Sequence, residues 1–404
     1  MDYPEAVAYT LDGDGQLALC RFNDGGKYNL VAVGCHDGSV RVADLDCKAF
    51  ARDLLGHVAP VSSVSWSPSG RLLLSAAKDW NAILWDLADP QAAARKEKVL
   101  RFASPVVIAA IHPVSNRDAA TGADLSLRVV VCCLNQYPYL IDLQRDETGG
   151  YVEDRSFLVK LDEGDVDLTK SNEFIQTTVA SFDASGDYIF LGNAKGIVTV
   201  VDNSTRSVLM HFRPSGTASI KGFQFSSDRS FVAINSADKT LRSYHMHTIL
   251  GLERNTSEVQ TIEPDFKYFD SIDQNRWAQC VFSPDSKYFI GGSAVKNSHK
   301  IYIWERSTAA LVKLLEIQKD SLMDIAWHPQ LPIIVSISTA GMMNVWTVKV
   351  HENWSAFAPD FKELDENVEY IENEDEFDIV EDAQKRSLAI SKAAEEDEFV
   401  DIMS

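Results

Sequence analysis

Residues 56–86 read GHVAPVSSVSWSPSGRLLLSAAKDWNAILWD. A first short run ends on the aromatic Trp66, and a turn follows at Ser67-Pro68-Ser69-Gly70. Two further runs, Arg71 to Ala76 and Asn81 to Trp85, are joined through Ala77-Lys78-Asp79-Trp80. Short apolar runs punctuated by Gly, Pro, Ser and Asp predict antiparallel strands joined by tight turns.

The same order recurs along the chain. Turns stand at Phe182-Asp183-Ala184-Ser185-Gly186, Phe282-Ser283-Pro284-Asp285 and Trp327-His328-Pro329. Weaker copies start at Phe22, Ile111 and Phe225. The seven anchors Phe22, Trp66, Ile111, Phe182, Phe225, Phe282 and Trp327 are separated by 44, 45, 71, 43, 57 and 45 residues. A period near 40–45 residues is that of a propeller blade. The two long gaps hold 143–176 and 246–276, which read as loop insertions. The fold predicted is all-β: a seven-bladed β-propeller over 1–350, with Glu5–Leu11 supplying the outer strand of the last blade.

Here the chain resembles the WD-repeat family. Gly56-His57, Asp79 and Trp85-Asp86 are its marks in the second blade. The resemblance implies a hydrogen-bonded chain through His57, Asp79, Ser75 and Trp85 that locks the blade. No other blade carries the full set, so packing is expected to hold the rest.

Charge sets the second boundary. The chain has 404 residues and a formal net charge of -21. Residues 351–404 hold 18 acidic and 4 basic side chains, and residues 1–350 hold 41 and 34. The last segment is too charged to pack alone, so an acidic, largely disordered tail is expected over 351–404. So negative a sum argues against a protein whose main task is coating nucleic acid or anionic membrane. No apolar run approaches the ~20 residues of a membrane span. The start, Met1-Asp2-Tyr3-Pro4-Glu5, reads as lacking a secretory signal. Cys20, Cys35, Cys47, Cys132, Cys133 and Cys280 form no CxxC pair and read as buried hydrophobes of a reducing compartment.

Catalytic patterns are absent. His57, Ser75 and Asp79 resemble a hydrolase triad only in composition, since their place in the repeat gives them a structural role. His245 and His247 alternate on an expected strand end and read as a surface pair. Adjacent Cys132 and Cys133 should point to opposite faces. There is no GxSxG, Walker A or GxGxxG between strand and helix. No cofactor, metal or small-molecule substrate is expected, and no enzymatic activity.

The tail carries the recognition signals. Trp354, Phe357 and Phe361 stand just beyond the last blade among charges. Glu376-Phe377-Asp378-Ile379 and Val400-Asp401-Ile402 each set two apolar residues at i and i+2 among carboxylates. In an extended chain both anchors share one face, which suits docking into a groove with a basic rim.

The run Asn353 to Tyr370 resembles the segment after the propeller in the retinoblastoma-binding protein 5 family. Tyr3-Pro4-Glu5, Ala180-Ser181-Phe182, Gly192-Asn193-Ala194-Lys195-Gly196 and Ile325-Ala326-Trp327-His328-Pro329 resemble it too. That family supplies the WD-repeat subunit of COMPASS and mixed-lineage-leukaemia histone methyltransferase complexes. The resemblance implies a non-catalytic scaffold and activator of histone lysine-4 methylation in the nucleus. It implies that 358–371 touches a SET-domain methyltransferase through Ala358, Pro359, Phe361, Glu363, Leu364, Asp365, Glu366, Val368, Glu369 and Tyr370. It implies that 374–382 binds a SPRY-domain subunit through Asp375, Glu376, Phe377, Asp378 and Ile379. It implies that 396–404 binds a second WD-repeat propeller through Glu398, Val400, Asp401 and Ile402. The spacer 383–394 departs from the family with Lys385, Arg386 and Lys392, and Phe399 and Met403 depart in the last motif. On the propeller, Lys239, Arg242, Arg276, Lys296 and Lys300 are the candidate phosphate contacts toward a nucleosome. The alternative is a generic WD-repeat adaptor in protein turnover or RNA processing, which leaves 353–370 unexplained.

Overall fold

The computed structural model describes residues 2–25, 29–88, 95–117, 124–146, 150–158, 177–214, 216–253, 259–270, 276–318 and 320–349. The chain divides into two units, Met1–Lys349 and Val350–Ser404. Every tail motif named above lies outside the described residues.

The first unit is built of seven sheets, antiparallel but for one added strand, each beginning with an inner strand that ends on one of the seven anchors. These inner strands are Leu17–Phe22, Val61–Trp66, Val106–Ile111, Thr177–Phe182, Ile220–Phe225, Trp277–Phe282 and Leu322–Trp327. The residue after the anchor explains the turns. Its side chain captures the backbone N–H five residues on: Leu72 by Ser67 (3.1 Å), Tyr188 by Asp183 (3.0 Å), Phe231 by Ser226 (2.9 Å) and Tyr288 by Ser283 (2.9 Å). A buried Ser or Asp at that place therefore starts the second strand in four blades.

The ring closes on the N-terminus. Ala6–Asp12 pairs antiparallel with Met342–Thr347, from Ala6 opposite Thr347 to Asp12 opposite Met342. It is the outer strand of a sheet whose other members are Ile334–Ser338 and Leu322–Trp327. Flanking bonds from Glu5 N–H to Thr347 O (2.9 Å) and Gly13 N–H to Gly341 O (3.0 Å) extend the pairing.

There is no single core. Among the described residues the buried apolar side chains fall into seven clusters, each drawn from two neighbouring blades. Alternation along each strand does this. Cys133 packs between blades 2 and 3, while Cys132 packs between blades 3 and 4. In all seven inner strands the register slips at the second residue. The bulged residues include Ser62, Thr178 and Lys221. Each donates to the carbonyl of the first residue of the next inner strand: Val106 (2.8 Å), Ile220 (2.8 Å) and Trp277 (3.1 Å). A repeated bulge thus turns a side chain sideways and stitches blade to blade.

The two long gaps are not plain insertions. Tyr151–Phe157 is the outer strand of blade 3, and Phe266–Tyr268 is the outer strand of blade 5. Gln260–Ile262 adds a fifth, parallel strand to blade 4 beside Val208–Pro214. His247 lies in a short helix, Met246–Leu250, rather than on a strand end. Outer strands are partly exposed and mixed in composition, so their pattern is weak in the sequence.

Deleting residues 1–12 leaves the edge of Met342–Thr347 unpaired and removes Tyr9 and Leu11 from the last seam. Calorimetry of the truncated chain should show the melting temperature lowered by more than about 10 °C. A melt matching that of the full chain would refute closure by this strand.

Candidate functional site

In blade 2 the loop before the inner strand brings His57 against the turn between the second and third strands. His57 Nδ1 stands 3.0 Å from Asp79 Oδ2, and its Nε2 stands 2.8 Å from Ser75 Oγ. The indole N–H of Trp85 donates to Ser75 Oγ at 2.8 Å. Asp79 also accepts from Val58 N–H (3.1 Å) and Asn81 N–H (3.1 Å). The four residues form one chain from the blade's surface to its core. Burial holds the His57 pKa below the ordinary value, against the opposing pull of Asp79. Ser75 is fully buried and its oxygen is already engaged by the indole, so no substrate carbonyl can reach it. The arrangement is a lock, not a nucleophile.

A second lock was not anticipated. Trp346 N–H donates to Ser336 Oγ at 2.9 Å, and Ser336 meets His299 Nε2 at 2.9 Å. Ser336 and Trp346 are ten residues apart, as are Ser75 and Trp85. That spacing was the available signal. The histidine comes from the neighbouring blade, where it cannot be found by aligning repeats. His299 is fully buried, its Nδ1 has no hydrogen-bond partner, and burial pushes its pKa down to about 4. Blade 7 therefore carries a partial set, without the Asp, beside the packing expected to hold it.

Among the described residues no three His, Cys, Asp or Glu side chains stand close enough to share a metal ion. All six cysteines are free, and burial raises the thiol pKa of Cys133 to about 11 and of Cys280 to about 12. Cys47 is exposed, contrary to its reading as a buried hydrophobe. His245 and His247 have ring centres 5.0 Å apart, with His245 against Phe231 at 3.9 Å. A cavity of about 580 Å³, lined by residues of all seven inner strands, occupies the centre of the ring.

The charged candidates separate into two groups. Arg242 is buried, paired with Asp238 at 2.6 Å and bonded to Ser236 Oγ and Thr240 O, so it serves the fold and not a phosphate. Lys239, Arg276 and Lys296 are exposed on loops at one face of blades 5 and 6. Hydrogen bonds tie these loops together: the Trp277 indole N–H donates to Lys239 O (3.0 Å), and the Ala294 backbone N–H donates to Arg276 O (2.7 Å). Lys221 joins them from the channel rim, its amine on Trp277 O. Burial and then the Arg276 charge lower the Lys221 pKa. Lys300 sits near the start of the third strand of blade 6, just after the loop that carries Lys296.

The family model for the WD domain, G-beta repeat, matches residues 49–86. The retinoblastoma-binding protein 5 homolog of Drosophila melanogaster is 36% identical, over 99% of this chain and 74% of its own length. The Set1 complex component swd1 of Schizosaccharomyces pombe is 33% identical, over 95% of this chain and 89% of its own. The solved β-propeller domain of Cps50 (Swd1) from Myceliophteria thermophila is 26% identical, with a TM-score of 0.70. It covers 85% of this chain and all of that one.

The buried histidines set a pH dependence. The folded His299 binds its proton only near pH 4, whereas the unfolded side chain binds it near the ordinary 6.5. Between those values the unfolded state holds more protons, so stability rises with pH. Thermal melts should fall as pH drops from about 6.5 to 4, with His57 adding in the same direction. His299→Gln, which cannot titrate, should flatten that slope. Parallel pH profiles for the parent and His299→Gln would count against the assignment.

Proposed function

The chain belongs to the retinoblastoma-binding protein 5 family, and from that membership we propose that it is a non-catalytic scaffold and activating subunit of a nuclear, COMPASS-type histone lysine-4 methyltransferase complex. One observation carries this reading. Similarity to the fly relative takes in 99% of the chain, so it extends past the propeller into the acidic segment. A generic WD-repeat adaptor would share blades but has no reason to share that segment.

The segment supplies three docking motifs. Residues 358–371 bear on the SET-domain enzyme through Phe361, Leu364 and Val368, with Glu363, Asp365, Glu366 and Glu369 facing a basic surface. Phe377 and Ile379 anchor the SPRY subunit, and Val400 and Ile402 anchor a second WD-repeat propeller. Linking weak sites on one chain raises effective concentration, so modest motifs hold a stable assembly. Activation is then a population shift: the tail restrains the SET domain in its competent arrangement and donates no catalytic group. The cationic face of blades 5 and 6, with Lys221, Lys239, Arg276 and Lys296, offers phosphate contacts to a nucleosome.

Two measurements test the motifs separately. In a reconstituted complex, Phe361→Ala, Leu364→Ala and Val368→Ala together should lower methyl transfer while the SPRY subunit stays bound. Unchanged turnover by the assembled variant would overturn the activating role. Phe377→Ala should weaken SPRY binding by roughly thirtyfold, since truncating a buried aromatic anchor costs about 2 kcal/mol. Titration calorimetry giving parental affinity would show the anchor to be misplaced.

A further inference from the structure

A patch of exposed apolar side chains lies on blades 2 and 3, on the side of the ring that also carries the blade 5–6 cations but on different blades. Val58 is 88% exposed and Trp80 50%, with Leu134 and Phe157 about half exposed beside them. Their continuity is fixed by contacts. Val58 N–H donates to Asp79, next to Trp80. Phe102 N–H donates to Trp80 O (2.9 Å), and the Phe102 ring lies 5.8 Å from Tyr139. Tyr139 stacks on Phe157 at 5.3 Å, and Leu134 N–H donates to Pro105 O (2.9 Å). All these residues stand at or beside loops that lead into an inner strand or from second to third strand. Because strands alternate in direction, such loops open on the same side of the ring.

Trp80 is held in an unfavourable backbone conformation. Its φ is 70°, in the left-handed region that a bulky side chain avoids. The matching turns of blades 1, 4 and 7 carry Gly38, Gly196 and Gly341 there. Half of the tryptophan faces solvent, so packing is a poor reason for keeping it. The strained turn thus presents half of an indole to solvent, where a partner can reach it.

The charges around the patch are mostly positive. Lys78 and Arg101 flank it and are exposed. The Arg155 guanidinium lies 4.7 Å from the Phe102 ring centre and 5.7 Å from that of Tyr139, and donates to Arg101 O at 2.8 Å. Of the nearby carboxylates, Asp79 is engaged by His57 and Glu153 stands 3.5 Å from Arg155. In a chain of net charge -21 this is a local reversal. Aliphatic Val58 and Leu134 among the rings suit side-chain anchors better than stacked bases.

We propose that this face of blades 2 and 3 docks an extended acidic peptide segment of another protein, with Trp80 and Phe157 receiving its apolar anchors and Lys78, Arg101 and Arg155 meeting its carboxylates. The site is separate from the tail motifs and from the blade 5–6 face, and stands whether or not those readings hold.

A random dodecapeptide phage library selected against the full chain provides the probe. Selected peptides should share two or more acidic residues beside an aromatic or large aliphatic anchor. By fluorescence polarisation, Phe157→Ser and Trp80→Gly should each weaken the synthetic peptide by about tenfold or more. Arg101→Glu should weaken it too, and Arg276→Glu should leave it unchanged. The glycine is the residue of the sister turns, so Trp80→Gly should keep the parental circular dichroism spectrum and cooperative melt. Failure to enrich any peptide, or peptides bound equally by Phe157→Ser and Trp80→Gly, would overturn the proposal. So would a labelled thymidine dodecamer whose binding alone is lost in those variants. A dimer seen by light scattering and dissolved by Phe157→Ser would replace it with self-association.

Discussion

Burial of both faces of every sheet is the constraint on which this molecule depends. A four-stranded blade with apolar residues on two sides cannot satisfy itself; it needs a neighbour on each side. Seven clusters of buried side chains, each shared between two blades, are the result. Polar contacts then decide alignment. The bulge at the second residue of each inner strand aims Ser62, Thr178 and Lys221 across a seam. At the closing seam, Asp324 accepts from Cys20 N–H (3.0 Å) and pairs with Arg21 (2.7 Å). These bonds fix how one blade sits on the next, which a layer of aliphatic side chains leaves loose.

Much of the fold was legible because its signals are local. An aromatic residue followed by Ser or Asp marks the end of an inner strand, since that side chain must reach forward to the next strand's first N–H. The closing strand expected over Glu5–Leu11 is found one residue on, at Ala6–Asp12. Outer strands were harder. Tyr151–Phe157 and Phe266–Tyr268 are half exposed and mixed in composition, and they vanished into apparent insertions. The parallel strand Gln260–Ile262 has no counterpart in the other blades, so a search for repeats could not find it.

The sites divide the same way. The His57–Ser75–Trp85 chain lies within one repeat, and the resemblance of that repeat to the WD-repeat family implies it. The His299–Ser336–Trp346 chain crosses a seam, and only three dimensions bring its histidine to the serine. Arg242 looked like a surface cation in the sequence, yet Asp238, four residues earlier, holds it inside. Trp80 gave no sign of strain, because a residue's name says nothing of its φ. The patch it belongs to, like the cationic face of blades 5 and 6, is assembled from loops of different repeats.

Closure by Ala6–Asp12 also has a consequence in time. Its partner, Met342–Thr347, is among the last parts of the ring to be synthesised. At the usual pace of about 5–20 residues per second, the first strand waits on the order of tens of seconds for its mate. Contacts of such sequence separation form late and slowly, after the local hairpins. During that interval the first blade lacks its neighbour, and Tyr9 and Leu11 lack the cluster they later join. The nascent chain is therefore an open arc with two unsatisfied ends, and its period of greatest exposure to chaperones and to misassembly with other arcs is built into the order of its strands.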